Sequence, residues 1–112
     1  MITSDEFIDY VLDQLAAFGV IHTSRLFGGM LLKVDNKQLG VVIADTLYFR
    51  VKEAELREKF VALGSEQFEY DTTDRDESVV IRNWWSVPEE ILENREELVG
   101  LAYEVLLQGS KG

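Results

Sequence analysis

Apolar residues near the start of the chain recur at helical spacing. Phe7, Ile8, Val11, Leu12 and Leu15 fall on one face, and Asp5, Asp9 and Asp13 on the other. Thr3-Ser4-Asp5-Glu6 resembles a capping box with Thr3 as N-cap, and Gly19 suits the position just past a helix end. A first helix over about Ser4–Phe18 is expected. The pattern then changes to short apolar runs separated by turn residues. Strands are predicted over Arg25–Val34, with a bend or bulge at Gly28-Gly29, over Gln38–Ile43, and over Thr46–Val51. Asn36 suits a turn with φ > 0. Val41-Val42-Ile43 is apolar on both faces and is expected to be central, whereas Leu47, Phe49 and Val51 alternate with Tyr48 and Arg50.

Helical spacing returns with Leu56, Phe60 and Leu63, closed by Gly64. Two more strands are expected at Gln67–Thr72 and Ser78–Trp85, joined by the polar run Thr72–Glu77. Ser86-Val87-Pro88-Glu89-Glu90 opens a short helix with Pro at its first position, where the missing N–H costs nothing. Asn94 with Glu97 reads as a second cap, and Leu98, Leu101, Ala102, Val105 and Leu106 form the inward stripe of a last helix. The tail from Gln108 is expected to fray. The order α-β-β-β-α-β-β-α points to an α+β domain with an antiparallel sheet of about five strands flanked by helices. It forms one domain with an ordered core over about 4–107, and shows no internal repeat and no linker.

Composition narrows the class. No apolar run approaches the roughly 18 residues that a membrane span needs. The N-terminus lacks the basic and apolar regions of an export signal, and the chain has no cysteine, so a cytoplasmic location is expected. The net charge of −10 is uneven: residues 25–85 hold eleven acids and nine bases, while the flanking segments are strongly acidic. Arg50, Lys52, Arg57 and Lys59 are interleaved with Glu53, Glu55 and Glu58, the pattern of a solvated helix with local ion pairs. Direct binding to nucleic acid is therefore disfavoured, because it rests on clustered cations.

Candidate chemistry is sparse. His22 is the only histidine, in a predicted helix–strand connection with no nucleophile or orienting acid in a nearby motif, so a surface or cap role is expected. Phe27-Gly28-Gly29-Met30 lacks the Lys-Ser/Thr pair and following helix of a phosphate loop. Asp71, Asp74 and Asp76 are out of register with an EF-hand loop and read as a solvated turn. Trp84-Trp85 on a strand sends its rings to opposite faces, with both buried as the commoner arrangement. An exposed tryptophan would instead mark an interface. No catalytic residue, metal site or cofactor is expected. A candidate interaction surface comprises Arg25, Phe27, Gly28, Gly29, Tyr48, Arg50, Trp84 and Trp85. The alternative is a small-ligand-binding or enzymatic domain using the sheet face near Tyr48, Arg50 and Trp84 or Trp85.

Several segments in order carry a family resemblance: Arg25-Leu26-Phe27-Gly28-Gly29-Met30, Asp35-Asn36-Lys37, Asp45-Thr46-Leu47-Tyr48, Ala62-Leu63-Gly64-Ser65-Glu66, Phe68, Tyr70 and Val87-Pro88-Glu89-Glu90-Ile91-Leu92. Together they resemble the N-terminal domain of the TfoX/Sxy competence regulators, over about residues 4–107. Leu31 and Asn36 stand where that family often has glycine, Gln67 replaces a frequent proline, and Trp84-Trp85 replaces a frequent tyrosine pair. The resemblance implies a fold similar to type III secretion chaperones and YjbR-like proteins. It also implies a standalone version of a domain that full-length members join to a C-terminal helical domain. It implies no catalytic residues, and a protein partner in the transcription machinery or a regulator of it. A homodimer is a further expectation, from the same fold class.

Overall fold

The computed structural model describes residues 4–26, 29–72 and 77–108. Helix α1 (Asp5–Gln14) starts at Ser4, whose Oγ accepts the Phe7 N–H at 3.2 Å. The cap expected at Thr3 lies outside the described residues. Asp45 Oδ1 in turn accepts from the Ser4 N–H at 2.8 Å and its hydroxyl at 3.1 Å, so the start of α1 is tied to a turn of the sheet. The helix does not reach Phe18 as one piece. It ends at Gln14, and a 3₁₀ turn over Ala16–Phe18 leads to Gly19 at φ 75°.

Six strands form one antiparallel sheet in the order β1-β2-β3-β4-β6-β5. They are β1 (His22–Leu26), β2 (Gly29–Val34), β3 (Lys37–Ile43), β4 (Thr46–Arg50), β5 (Gln67–Thr72) and β6 (Glu77–Ser86). The strand expected over Arg25–Val34 is two strands: Leu26 and Gly29 are cross-strand partners, so the chain reverses between them. The extra strand begins at His22, which therefore stands in a strand and not in a connection. Gly29 is demanded by close packing, since a Cβ there would lie 2.1 Å from the Val42 carbonyl oxygen.

Two tight turns fold β2, β3 and β4 into a meander. Asp35 and Asn36 have φ 49° and 66°, and Ala44 and Asp45 have φ 50° and 56°. Paired positive φ values match the right-handed twist of the flanking strands. The bulge sits in β3, where Leu32 faces Gly40 but Lys33 faces Gln38, leaving Leu39 as the extra residue. Gly40 fits against β4 only without a side chain, because a Cβ would overlap the Tyr48 carbonyl.

All the helices pack on one side of the sheet. Leu32, Val42, Leu47, Phe49 and Trp85 meet Val11, Leu15, Phe60, Leu98 and Leu101 there, with α2 (Ala54–Ala62), α3 (Glu89–Glu93) and α4 (Arg95–Leu106) closing the layer. On the other side, among the described residues, Leu31, Val41, Ile43, Phe68 and Trp84 form a separate cluster with Tyr48, and no helix contributes to it. Val41 and Val42 are thus both buried, on opposite faces of a central strand. Pro88 precedes the first turn of α3, and Asn94 divides α3 from α4 by accepting the Glu97 N–H at 3.2 Å. Of the expected stripe, Leu98, Leu101, Ala102 and Val105 are buried and Leu106 is half-buried. Gln108, expected to fray, is held: its Oε1 accepts the Lys52 and Glu53 N–H groups and its Nε2 donates to the Arg50 and Val105 carbonyls. The rest of the tail lies outside the described residues.

Candidate functional site

The sheet distributes the expected interaction residues over several environments. Arg25 is exposed on β1, an edge strand. Phe27 and Gly28 lie outside the described residues, and Gly29 is buried against β3. Trp84 and Trp85 are 7% and 9% exposed and point into the two different apolar clusters. Both are packing residues, as strand alternation requires. The Trp85 indole N–H is buried with no acceptor among the described residues, a cost accepted with the ring's apolar burial.

Tyr48 and Arg50 share the helix-free face. The Tyr48 ring meets Phe68 edge-on at 5.1 Å, and Phe68 contacts Trp84 at 6.2 Å. Burial pushes the Tyr48 phenol above its ordinary pKa; a hydrogen bond with Thr46 opposes that shift and the charge of Glu66 adds to it. Arg50 is directed away from this aromatic group: its guanidinium donates to Gln38 Oε1 at 2.8 Å. Trp85 faces the helices, so the four residues named for a ligand face do not converge on one cavity.

His22 is exposed at the start of β1, opposite Lys33, and its imidazole has no hydrogen-bonded partner among the described residues. No group of three His, Asp or Glu side chains among those residues could hold a metal ion. Asp74 and Asp76 lie outside the described residues.

The surface that sequence spacing did not assemble is the outer side of the helices. Together α1, α3 and α4 carry ten carboxylates, every one exposed, against the single guanidinium of Arg95. Arg95 is itself paired with Asp13 at 3.1 Å and reaches the Gln14 carbonyl oxygen. Lys59 of α2 pairs across to Glu104 of α4 at 2.6 Å, not with a glutamate of its own helix. Between α2 and α4 lies a groove of about 440 Å³. Leu63, Ile91 and Leu101 contribute its apolar lining, and Glu97, Glu104 and the Lys59 paired with Glu104 its charged groups. Gly100 also lines it, and nothing stands within 4 Å of where its Cβ would be. A glycine inside a helix costs about 0.5–1 kcal/mol relative to alanine. Here it leaves the groove open without any packing need inside the chain. The signal for this site was the charge asymmetry of the termini, but its convergence required three separate helices to share one layer.

Residues 13–108 match the family model of the TfoX N-terminal domain, and the chain belongs to that family. The comparison with curated proteins returned no match.

Proposed function

We propose that this TfoX N-terminal-domain protein is a non-enzymatic, cytoplasmic interaction module in transcription regulation of the competence type. Its helix layer receives a basic segment of a protein partner. The groove between α2 and α4 carries this reading, because it joins an apolar lining to carboxylates within a surface that is almost wholly acidic. An apolar anchor from a partner fits such a lining, and Lys or Arg flanking that anchor would meet Glu97, while Glu104 holds Lys59. The exposed Leu107 and Tyr103 on the last helical turns extend the apolar surface available to the partner. Two copies of this chain would oppose each other through the same layer by like charge, so a homodimer would use another surface.

The test is affinity capture from source cytosol at moderate salt, with mass-spectrometric identification. Wild-type protein is compared with Gly100→Leu, which adds a side chain to the groove lining at a position where its Cβ meets no neighbour. Recovery of RNA polymerase or a transcription factor by the wild type, and its loss with Gly100→Leu, supports the reading. Equal capture by both proteins, or capture of no transcription component, contradicts it.

A further inference from the structure

At the end of the sheet remote from the turn that holds α1, the β2–β3 hairpin, the end of β4 and the last turn of α4 enclose a cleft of about 340 Å³. Four of the chain's eleven Lys and Arg residues line it: Lys33, Lys37, Arg50 and Lys52. Among the described residues, no carboxylate does. Asp35 and Glu53 adjoin these residues in sequence, yet neither forms an ion pair with any of them. In a chain of net charge −10, four cations gathered in one cleft are a local reversal of sign.

The internal partners of these cations are neutral. Arg50 donates to Gln38 Oε1 at 2.8 Å, and Lys37 Nζ donates to the Leu106 carbonyl at 3.3 Å. Lys33 is half-buried, and neither its ammonium nor that of Lys52 has a hydrogen bond or ion pair among the described residues. Like charges gathered in one cleft repel each other. The carbonyls at the end of α4, which would repel an anion, are engaged: Lys37 takes Leu106 and the Gln108 amide takes Val105. Gln108 also bonds the backbone of Arg50, Lys52 and Glu53, which fixes the α4 wall against β4.

We infer that this cleft is a binding site for a compact, multiply charged phosphate compound, an inorganic polyphosphate or the phosphate chain of a nucleotide. Its volume lies at the lower end of the range of about 300–1,000 Å³ usual for small-molecule pockets. A long polyanion such as duplex DNA would have to lie along a surface whose net charge repels it, whereas a small ligand meets chiefly the local field. The Arg50 guanidinium supplies a planar fork for a phosphate group, and the three lysines supply mobile donors that neutralise the remaining oxygens. The site is separate from the helix-layer groove, with which it shares no lining residue.

The test is calorimetric titration at constant ionic strength with inorganic pyrophosphate and with ADP, alongside amide NMR shifts that locate the site. Saturable binding of pyrophosphate is expected, with shifts at residues 33–38, 50–53 and 105–108. Tighter binding of ADP would identify a nucleotide as the source of the phosphates; equal or weaker binding would identify the inorganic form. Lys33→Gln with Arg50→Gln should weaken binding about a hundredfold, and Lys52→Gln, at an exposed position, about tenfold. Lys59→Gln, outside the cleft, should leave affinity unchanged. The inference is overturned if neither compound binds, if Lys52→Gln and Lys59→Gln weaken binding equally, or if a DNA duplex binds more tightly than both compounds through the same residues.

Discussion

The two sides of the sheet solve different problems with neighbouring residues. On one side Leu32, at 0% exposure, lies beneath helices whose outer surface carries nearly all of the chain's net negative charge. On the other, Leu31, at 8% exposure, joins an aromatic cluster, while at one end of the sheet the β2–β3 hairpin, the end of β4 and the last turn of α4 bring together four cations without acidic partners. The helix side gains stability from a large apolar core, and its charge is spread over mobile side chains in water. The cation end instead gathers its charge in one half-open cleft. An extended acidic layer suits a broad basic partner, whereas a confined cationic cleft suits a small anion.

The largest effect is expected where both sides depend on one backbone contact. Gly40→Ala places a methyl group into the Tyr48 carbonyl, disrupting the pairing of β3 with β4 that carries both clusters. A loss of more than about 4 kcal/mol, or failure to accumulate folded protein, is expected in urea unfolding. A loss below about 1 kcal/mol would show that β3 and β4 separate easily.

Leu32→Ala and Leu31→Ala then compare the two sides directly. The range for such truncations is about 2–5 kcal/mol. Leu32→Ala should fall near its top and Leu31→Ala near its bottom, at the same denaturant slope. The reverse order would make the aromatic side the principal core.

Gln108→Ala sharpens the contrast by loosening the α4 wall of the cleft. It leaves the Lys52 and Glu53 N–H groups without their acceptor, at a cost of about 1–3 kcal/mol. Pyrophosphate affinity should fall with it, while capture of a protein partner by the helix layer should not.

The smallest effect concerns pH. Because the folded-state pKa of Tyr48 is raised, its contribution to stability is present below the ordinary tyrosine pKa of about 10 and is lost as pH rises through the folded value. Thermal unfolding between about pH 9 and pH 11 should show a fall in stability that is shallower in Tyr48→Phe. Identical pH profiles for the two proteins would mean that the phenol ionises as freely when folded as when unfolded.

Much of this architecture was legible in the sequence because local patterns and tertiary contacts agree. The Val41-Val42-Ile43 run is central, Asn36 occupies a positive-φ turn, Asn94 caps α4, and the tryptophans part to opposite faces. The split between β1 and β2 was missed because Gly28-Gly29 is compatible with either a bulge or a reversal, and cross-strand pairing decides between them. The Leu39 bulge has no turn residue to announce it beyond Gly40. The cationic cleft was hidden by averaging. Lys33, Lys37, Arg50 and Lys52 sit in a segment of balanced charge, and the expected local pairing of Lys59 gives way to Glu104 on another helix.

The most direct measurement is partner capture with Gly100→Leu and with the Lys33→Gln/Arg50→Gln protein, each set beside its pyrophosphate titration. Loss of the transcription partner with Gly100→Leu alone, and loss of pyrophosphate binding with the cleft variant alone, is the expected result. Retention of the partner by Gly100→Leu would contradict the assignment of the helix layer as the surface through which this domain acts.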